Sequence, residues 1–200
     1  MTRVPRGEAR ARLIEAARSL VRHRGFAATS VDDLCAAAGV TKGAFFHHFP
    51  SKEALGVALV DDWTEMTGAM FAAHPYNEQA DPLDRVFAYI DLRRELLGQP
   101  LPEFSCVAGT TVQESYETSP PIRAAAERSI RSGFDHVRRH LEEALAAHPI
   151  AGITAESLAQ QFQVATQGGI ILAKALNDPA PARAAFDHLE RYLRLLFGRN

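Results

Sequence analysis

Residues 31–52 read VDDLCAAAGVTKGAFFHHFPSK, and this stretch decides how the rest of the 200-residue chain is understood. Thr29 and Ser30 precede a short apolar run, and Asp33 lies three places beyond Ser30. That spacing is a capping box with Asp in place of Glu, the mark of a helix start. Ala38-Gly39-Val40 follows as a turn, because glycine adopts the left-handed conformation that ends a helix. Thr41 then caps a second helix over 42–49, Pro50-Ser51 stops it, and Ser51 opens the next. Two short helices joined by a Gly-bearing turn, at about 29–48, form a helix-turn-helix, whose second helix enters the major groove of duplex DNA.

Charge supports that reading once it is divided along the chain. The net charge of −2 is an average. Residues 1–52 hold nine Lys/Arg against four Asp/Glu, and residues 53–200 hold thirteen against twenty. The head therefore carries +5 and the body −7, as expected for a DNA-facing module on a body that need not touch phosphate. The Arg-rich start lacks a signal-peptide core, no apolar run approaches the ~18 residues that span a bilayer, and two distant cysteines make no secreted disulfide framework. These features predict a cytoplasmic protein, associated with the nucleoid when on DNA.

Outside the motif the pattern is helical throughout. Residues 1–6 form a basic arm. Residues 7–24 place Leu13, Ala17, Leu20 and Val21 at the 3.6-residue period, with Arg10, Arg12, Arg18, Arg22 and Arg24 on the remaining faces. Those arginines are either a solvated face or a reach toward neighbouring phosphates. Gly25-Phe26 closes that helix, and 52–73 links head to body. The polar loop 74–82 is the clearest boundary, with the linking helix shared, so the expected domains are 1–63, facing DNA, and 64–200, a helical body. Further helices are expected at 82–98, 103–117, 120–147, 155–177 and 180–198. The fold class is all-α, with about nine helices and no sustained strand alternation.

The last two helices carry apolar stripes. Phe162, Ala165, Gly169, Leu172 and Leu176 run along one face of the first, beside Val164, Gly168, Ile171 and Ala175. Phe186, Leu189, Leu193 and Leu196 repeat the pattern in the second. A helix apolar on two faces needs two partners; either both are internal, or one is a second copy of the chain.

The stretch TSVDDLCAAAGVTKGAFFHHFPSKEAL, with Gly39-Val40, Lys42-Gly43, His48-Phe49 and Ser51-Lys52-Glu53-Ala54-Leu55 at their spacing, resembles the DNA-binding signature of the tetracycline-repressor (TetR) family of bacterial regulators. The resemblance covers about residues 8–60. It implies a homodimer joined through the last two helices, a near-palindromic operator, and release when a small molecule enters the body. On this resemblance Ser30, Thr41, Lys42, Gly43, Ala44, Phe46, His47, His48 and Lys52 face DNA. Lys42 and Lys52 would clamp phosphates, His48 would reach the backbone, and Gly43 and Ala44 would allow close approach to base edges. Phe46 departs from the family's usual Tyr and keeps only an apolar contact. Two of the chain's three lysines, Lys42 and Lys52, bracket this helix.

The expected effector pocket draws on Phe71, Phe87, Ile90, Arg94, Phe104, Cys106, Thr110, Gln113, Tyr116, Phe134, Val137, Phe162 and Lys174, since aromatic walls with few polar groups describe a small-molecule cleft and equally an ordinary core. Lys174 stands alone in an apolar stretch, either reaching solvent or meeting an anion. Cys106 opens a helix, a position that favours a thiolate. Some relatives carry a sensing cysteine near this point and a lysine near that of Lys174. An encounter of the two would favour the charged form of each and a response to oxidants or electrophiles; the alternative is an inert thiol. Cys35 is expected to be packing. His136 and His140 have metal-ligand spacing but no third ligand, so no metal or cofactor is expected. A Cys106- or Ser105-dependent enzyme lacks every supporting motif. An architectural DNA-binding protein leaves the body unexplained. Repressor and activator are not separable at this level.

Overall fold

The computed structural model describes residues 6–199. The expected basic arm, 1–6, lies outside the described residues except for the backbone of Arg6. Nine α-helices are present among the described residues: α1 (Arg6–Arg24), α2 (Val31–Ala38), α3 (Lys42–His48), α4 (Lys52–Ala72), α5 (Pro82–Leu96), α6 (Val107–Ser115), α7 (Pro120–Ala147), α8 (Ala155–Leu176) and α9 (Ala180–Leu196). No strand occurs among these residues, and no helix is long and apolar enough to cross a membrane.

Boundaries follow local chemistry. Asp81 accepts the Leu83 N–H at 2.8 Å and Pro82 opens α5, where its missing N–H costs nothing. Thr154 and Ser157 make a reciprocal capping box on α8, and Asn177, at φ 51°, ends it in the left-handed region. The helix expected over 103–117 is shorter. A 3-10 turn takes Leu101–Phe104, Pro100 and Pro102 having no N–H to offer, and Cys106 caps α6.

The chain forms two compact units, each built from two stretches: residues 1–66 with 105–129, and 67–104 with 130–200. The first unit joins residues up to Met66 with α6 and the start of α7. In this unit α1 packs on α2, α3 and α6, and α2 on α3. Leu13, Ala17, Val21, Leu34, Phe45, Leu55, Leu59 and Ile122 are buried in it. Leu20, expected among them, is only half-buried.

The second unit is held by α8 on α9 and α5 on α9. Its core joins Leu83, Val86, Ile90, Val137, Leu141, Leu158, Phe162, Phe186, Leu189 and Leu193. Burial on this scale is the dominant stabilising term.

Candidate nucleic-acid interface

The recognition element is built from its caps. Ser30 Oγ accepts the Asp33 N–H at 3.1 Å, and Asp33 Oδ2 accepts the Ser30 N–H at 2.9 Å and the Ser30 hydroxyl at 2.6 Å. Those bonds hold the Asp33 carboxyl at about 2, the Ser30 hydroxyl contributing most. Gly39 takes φ 64°, and Val40 N–H returns to the Cys35 carbonyl at 3.0 Å. Thr41 Oγ1 then accepts the Ala44 N–H at 3.2 Å. Phe45 is fully buried and Phe49 nearly so, which fixes the rotation of α3 and turns its other face outward.

That outward face carries Thr41, Lys42, Gly43, Phe46 and His47, with Ala44 and His48 half-buried at its edges. Phe46 is 54% exposed and meets Phe45 edge-on at 5.1 Å. His47 and His48 stack edge to face at 5.1 Å. Nothing but Thr41 Oγ1, at 3.8 Å, lies near a Cβ placed on Gly43, so the helix surface there is bare. An uncrowded helix with a capped N-terminus, small residues and flanking aromatics has the shape that enters a major groove.

Three of the residues expected to contact DNA also hold partners within the protein. The Ser30 hydroxyl serves the cap. Lys52 Nζ donates to the Ala27 carbonyl at 3.2 Å and lies 4.6 Å from the centre of the Phe26 ring. Burial lowers its pKa, with the Glu114 carboxylate opposing. Lys42 Nζ sits 2.7 Å from Asp32 Oδ1. Four arginines of α1 are also committed: Arg18 pairs with Asp62 at 2.8 Å, Arg24 with Asp33 at 2.7 Å, and Arg22 and Arg10 lie over Trp63 and Phe49, each 5.5 Å from the ring centre. Asp32 and Glu114 carried no periodic or motif signal that sequence reading could use.

Two matches to known families bear on this geometry. The bacterial regulatory proteins of the tetR family match over residues 13–59, and the tetracyclin repressor-like C-terminal domain over residues 82–189. The chain belongs to the TetR family. It is thus a helix-turn-helix DNA-binding transcriptional regulator. The transcriptional repressor DhaR of a Mycobacterium species is 26% identical over 98% of this chain and 93% of its own. The transcriptional regulator AcuR of Cereibacter sphaeroides is 25% identical over 84% and 78%. Among solved structures, Escherichia coli NemR in its reduced form is 25% identical, with a TM-score of 0.77 over 92% of this chain and 96% of that one. A TetR regulator from Chloroflexus aurantiacus is 28% identical, with a TM-score of 0.80 over 94% and 95%.

The residues expected to form an effector pocket in this TetR chain are divided. Cys106, Thr110, Gln113 and Tyr116 belong to the first unit, and the other nine to the second. Tyr116 and Gln113 are exposed, the Gln113 amide donating to the Gly109 carbonyl at 3.0 Å. Cys106 Sγ accepts the Gly109 N–H at 3.3 Å. Phe71, Phe87, Ile90, Val137 and Phe162 are buried core, with Phe104 and Phe134 packed against it. Arg94 serves an ion-pair cluster rather than a pocket: it meets Asp91 at 2.9 Å, Asp187 at 2.8 Å and Glu190 at 2.6 Å. Lys174 occupies an exposed position on α8.

Sequence reading missed a polar centre in the second unit. Asn77 Nδ2 donates to the Phe71 and His74 carbonyls, each at 2.9 Å, closing α4. Its Oδ1 therefore faces His140 Nε2 at 3.1 Å as an acceptor, which puts the imidazole hydrogen on Nε2. His140 Nδ1, the Tyr76 hydroxyl and Arg85 Nε are buried without hydrogen-bond partners. Tyr76 lies edge-on to His140 at 5.8 Å and to Tyr89 at 5.4 Å. Burial pushes the Tyr76 phenol up to about 12, so it remains a donor at neutral pH. No group of three metal-ligating side chains converges among the described residues.

The expected dimer stripe also divides by burial. Phe162, Gly169, Phe186, Leu189 and Leu193 lie in the chain's own interior; a Cβ on Gly169 would fall 3.0 Å from Ala182 Cα. Ala165 and Leu196 are half-buried. The residues facing outward are Val164, Ile171, Leu172, Leu176, Tyr192 and Leu195, with Leu176 at 63% and Leu195 at 68% exposed. The sequence stripe merged these two faces because both are apolar at helical spacing.

Proposed function

We propose that this TetR regulator is a repressor that binds a near-palindromic operator as a homodimer and leaves it when a small molecule occupies its body. The observation that carries this is the pairing of a bare, capped α3 with an exposed apolar face on α8 and α9. Exposed apolar residues gathered on two neighbouring helices mark an interaction surface, and a two-fold copy matches an isologous interface. Two recognition helices would then meet half-sites about one helical turn, ~34–36 Å, apart. The repressor assignment follows DhaR and NemR, both named as repressors. Such a protein acts in the cytoplasm, on the nucleoid when bound.

The effector reading rests on the second unit, where unpartnered polar atoms of Tyr76 and His140 lie among aromatic rings and the Arg85 charge acts on His140. Apolar walls with a few buried polar groups suit a small molecule with an apolar body and one hydrogen-bonding end. A footprint on the DNA upstream of the protein's own gene tests the proposal. One protected, two-fold symmetric region that disappears with a cognate small molecule is expected; uniform protection refutes it.

A second reading of the trigger has its own observation. Cys106 is only partly buried, and its sulfur sits at the start of α6 on the Gly109 N–H. The E. coli relative was solved in a reduced form. An oxidant that releases the wild-type protein but not a Cys106→Ser variant supports a thiol trigger; equal release of both removes it.

A further inference from the structure

We infer that Asp32 is an internal stand-in for a DNA phosphate, holding Lys42 in the free protein and lowering the head's affinity for every duplex. The inference rests on the reading of α3 as the DNA-facing helix. Lys42 is the first residue of α3, and its ammonium lies 2.7 Å from Asp32 Oδ1, the separation expected of a charge-assisted bond to a phosphate oxygen. The two side chains are 60% and 69% exposed, so the pair occupies the surface that a duplex would meet. The bond to Asp32 raises the Lys42 pKa, which favours the ammonium in the free protein.

The neighbouring acid has a different task. Asp33 closes the capping box with Ser30 and pairs with Arg24, so α2 keeps its start without Asp32. Asp32 can therefore be changed without removing the cap. When Lys42 moves to a phosphate, one carboxylate bond is exchanged for one phosphate bond, and Asp32 is left facing a polyanion. Both effects oppose binding wherever Lys42 is drawn to a phosphate, as on the operator. An exposed pair is weak, so Asp32 attenuates binding rather than blocking it. A regulator that must release DNA on a modest signal gains from such attenuation.

The salt dependence separates the two kinds of complex. In a loose complex with unrelated DNA, Lys42 stays on Asp32 and displaces no counterion. Freed by substitution, it neutralises one more phosphate, which steepens the slope of log K against log salt by about 0.9.

The test compares wild type, D32N, K42A and the double variant by fluorescence anisotropy on operator and on unrelated duplex, with D32S as a second form of the first change and thermal melting as a check of folding. We expect D32N and D32S to bind both duplexes about threefold more tightly, with a steeper salt slope on unrelated DNA. In the K42A background D32N should gain clearly less than in wild type, because only the repulsion between Asp32 and phosphate is then relieved. An equal gain in the K42A background means that Asp32 acts only as bulk negative charge, and no gain in either background means that the pair does not compete; each overturns the inference while leaving DNA binding intact. If K42A binds operator as tightly as wild type, Lys42 is not a phosphate contact, and the underlying reading of that residue fails instead.

Discussion

The carboxylate of Glu114 accepts the backbone N–H of Ala27 at 2.7 Å, across 87 residues of sequence. The carbonyl of the same residue, Ala27, accepts Lys52 Nζ at 3.2 Å. The connection between α1 and α2 is thus held from both sides, by α6 and by the first residue of α4. That connection sets where Ser30 begins α2 and, through the Gly39 turn, where α3 points. Replacing Glu114 with Ala should lower the melting temperature by the equivalent of about 1 kcal/mol, the value of one partly exposed hydrogen bond, and weaken operator binding. E114Q, which can still accept the bond, should lose less. Thermal melts alongside operator titrations check this; an E114A protein unchanged in both would mean that the contact positions nothing.

Gly56 is set by close approach. A Cβ there would fall 2.9 Å from Ile122 Cδ1 and 2.9 Å from Phe26 Cζ. G56A should therefore cost about 1–3 kcal/mol by overpacking, measured by denaturant unfolding. Gly168 is the contrast, because nothing lies within 4 Å of its Cβ position. G168A should be neutral or stabilise the protomer by about 0.5–1 kcal/mol through helix propensity. If α8 meets a second copy, the same methyl should weaken self-association.

The outward apolar face gives a direct test of the dimer. Leu176→Glu and Leu195→Glu each place a charge on an exposed position, so the protomer fold should melt as wild type does. Sedimentation should show monomers at concentrations where wild type is dimeric. Phe186→Ala, by contrast, removes a buried ring and should cost about 3–5 kcal/mol of fold stability. Variants of Leu176 and Leu195 that sediment as wild type would move the interface elsewhere.

Two groups of titrating residues set the acid limb of stability. His140 and His136 are both held below the ordinary histidine range, chiefly by burial. Arg85, Arg139 and His136 add to the effect at His140 against Glu143, and Arg139 adds to it at His136 against Asp135. The folded protein keeps these rings neutral while the unfolded chain protonates near ~6.5. Their contribution is therefore complete above that value and is lost as pH falls below it toward the folded pKa. The melting temperature should drop between about pH 7.5 and 5.5, and less so in H140Q. Asp33 has the carboxylate sign: its carboxyl sits at about 2, so its share is present above the ordinary carboxylate range and is lost only on descent toward that value. A D33N protein should lose the lower-pH part of the decline.

The helices were legible because their caps and periods are local. Ser30, Gly39 and Thr41 act within four residues, and burial of Phe45 follows from the period of α3. The outward face of α3 was legible for the same reason. Long-range pairings carried no such signal. Asp32 reaches Lys42 across a turn, Glu114 reaches Ala27 across half the chain, and Arg94 looks like a pocket residue until Asp187 and Glu190 are brought beside it. The apolar stripe of α8 and α9 was visible, yet which residues line the interior and which face out depends on the rotation of each helix, which periodicity leaves free. The centre at Tyr76, Asn77 and His140 was hidden because a 3-10 turn over Pro75–Glu78 brings together residues from a segment that reads as a polar loop.

On the function we propose, α3 of two copies reads one specific DNA site. Anisotropy titrations of the full-length protein on a duplex from its own upstream region, against a scrambled duplex of equal length, measure this most directly when repeated across salt concentrations. Two protomers per site are expected, with operator binding tighter than scrambled binding by at least about a thousandfold at physiological salt. Equal affinity for both duplexes at every salt concentration would contradict it.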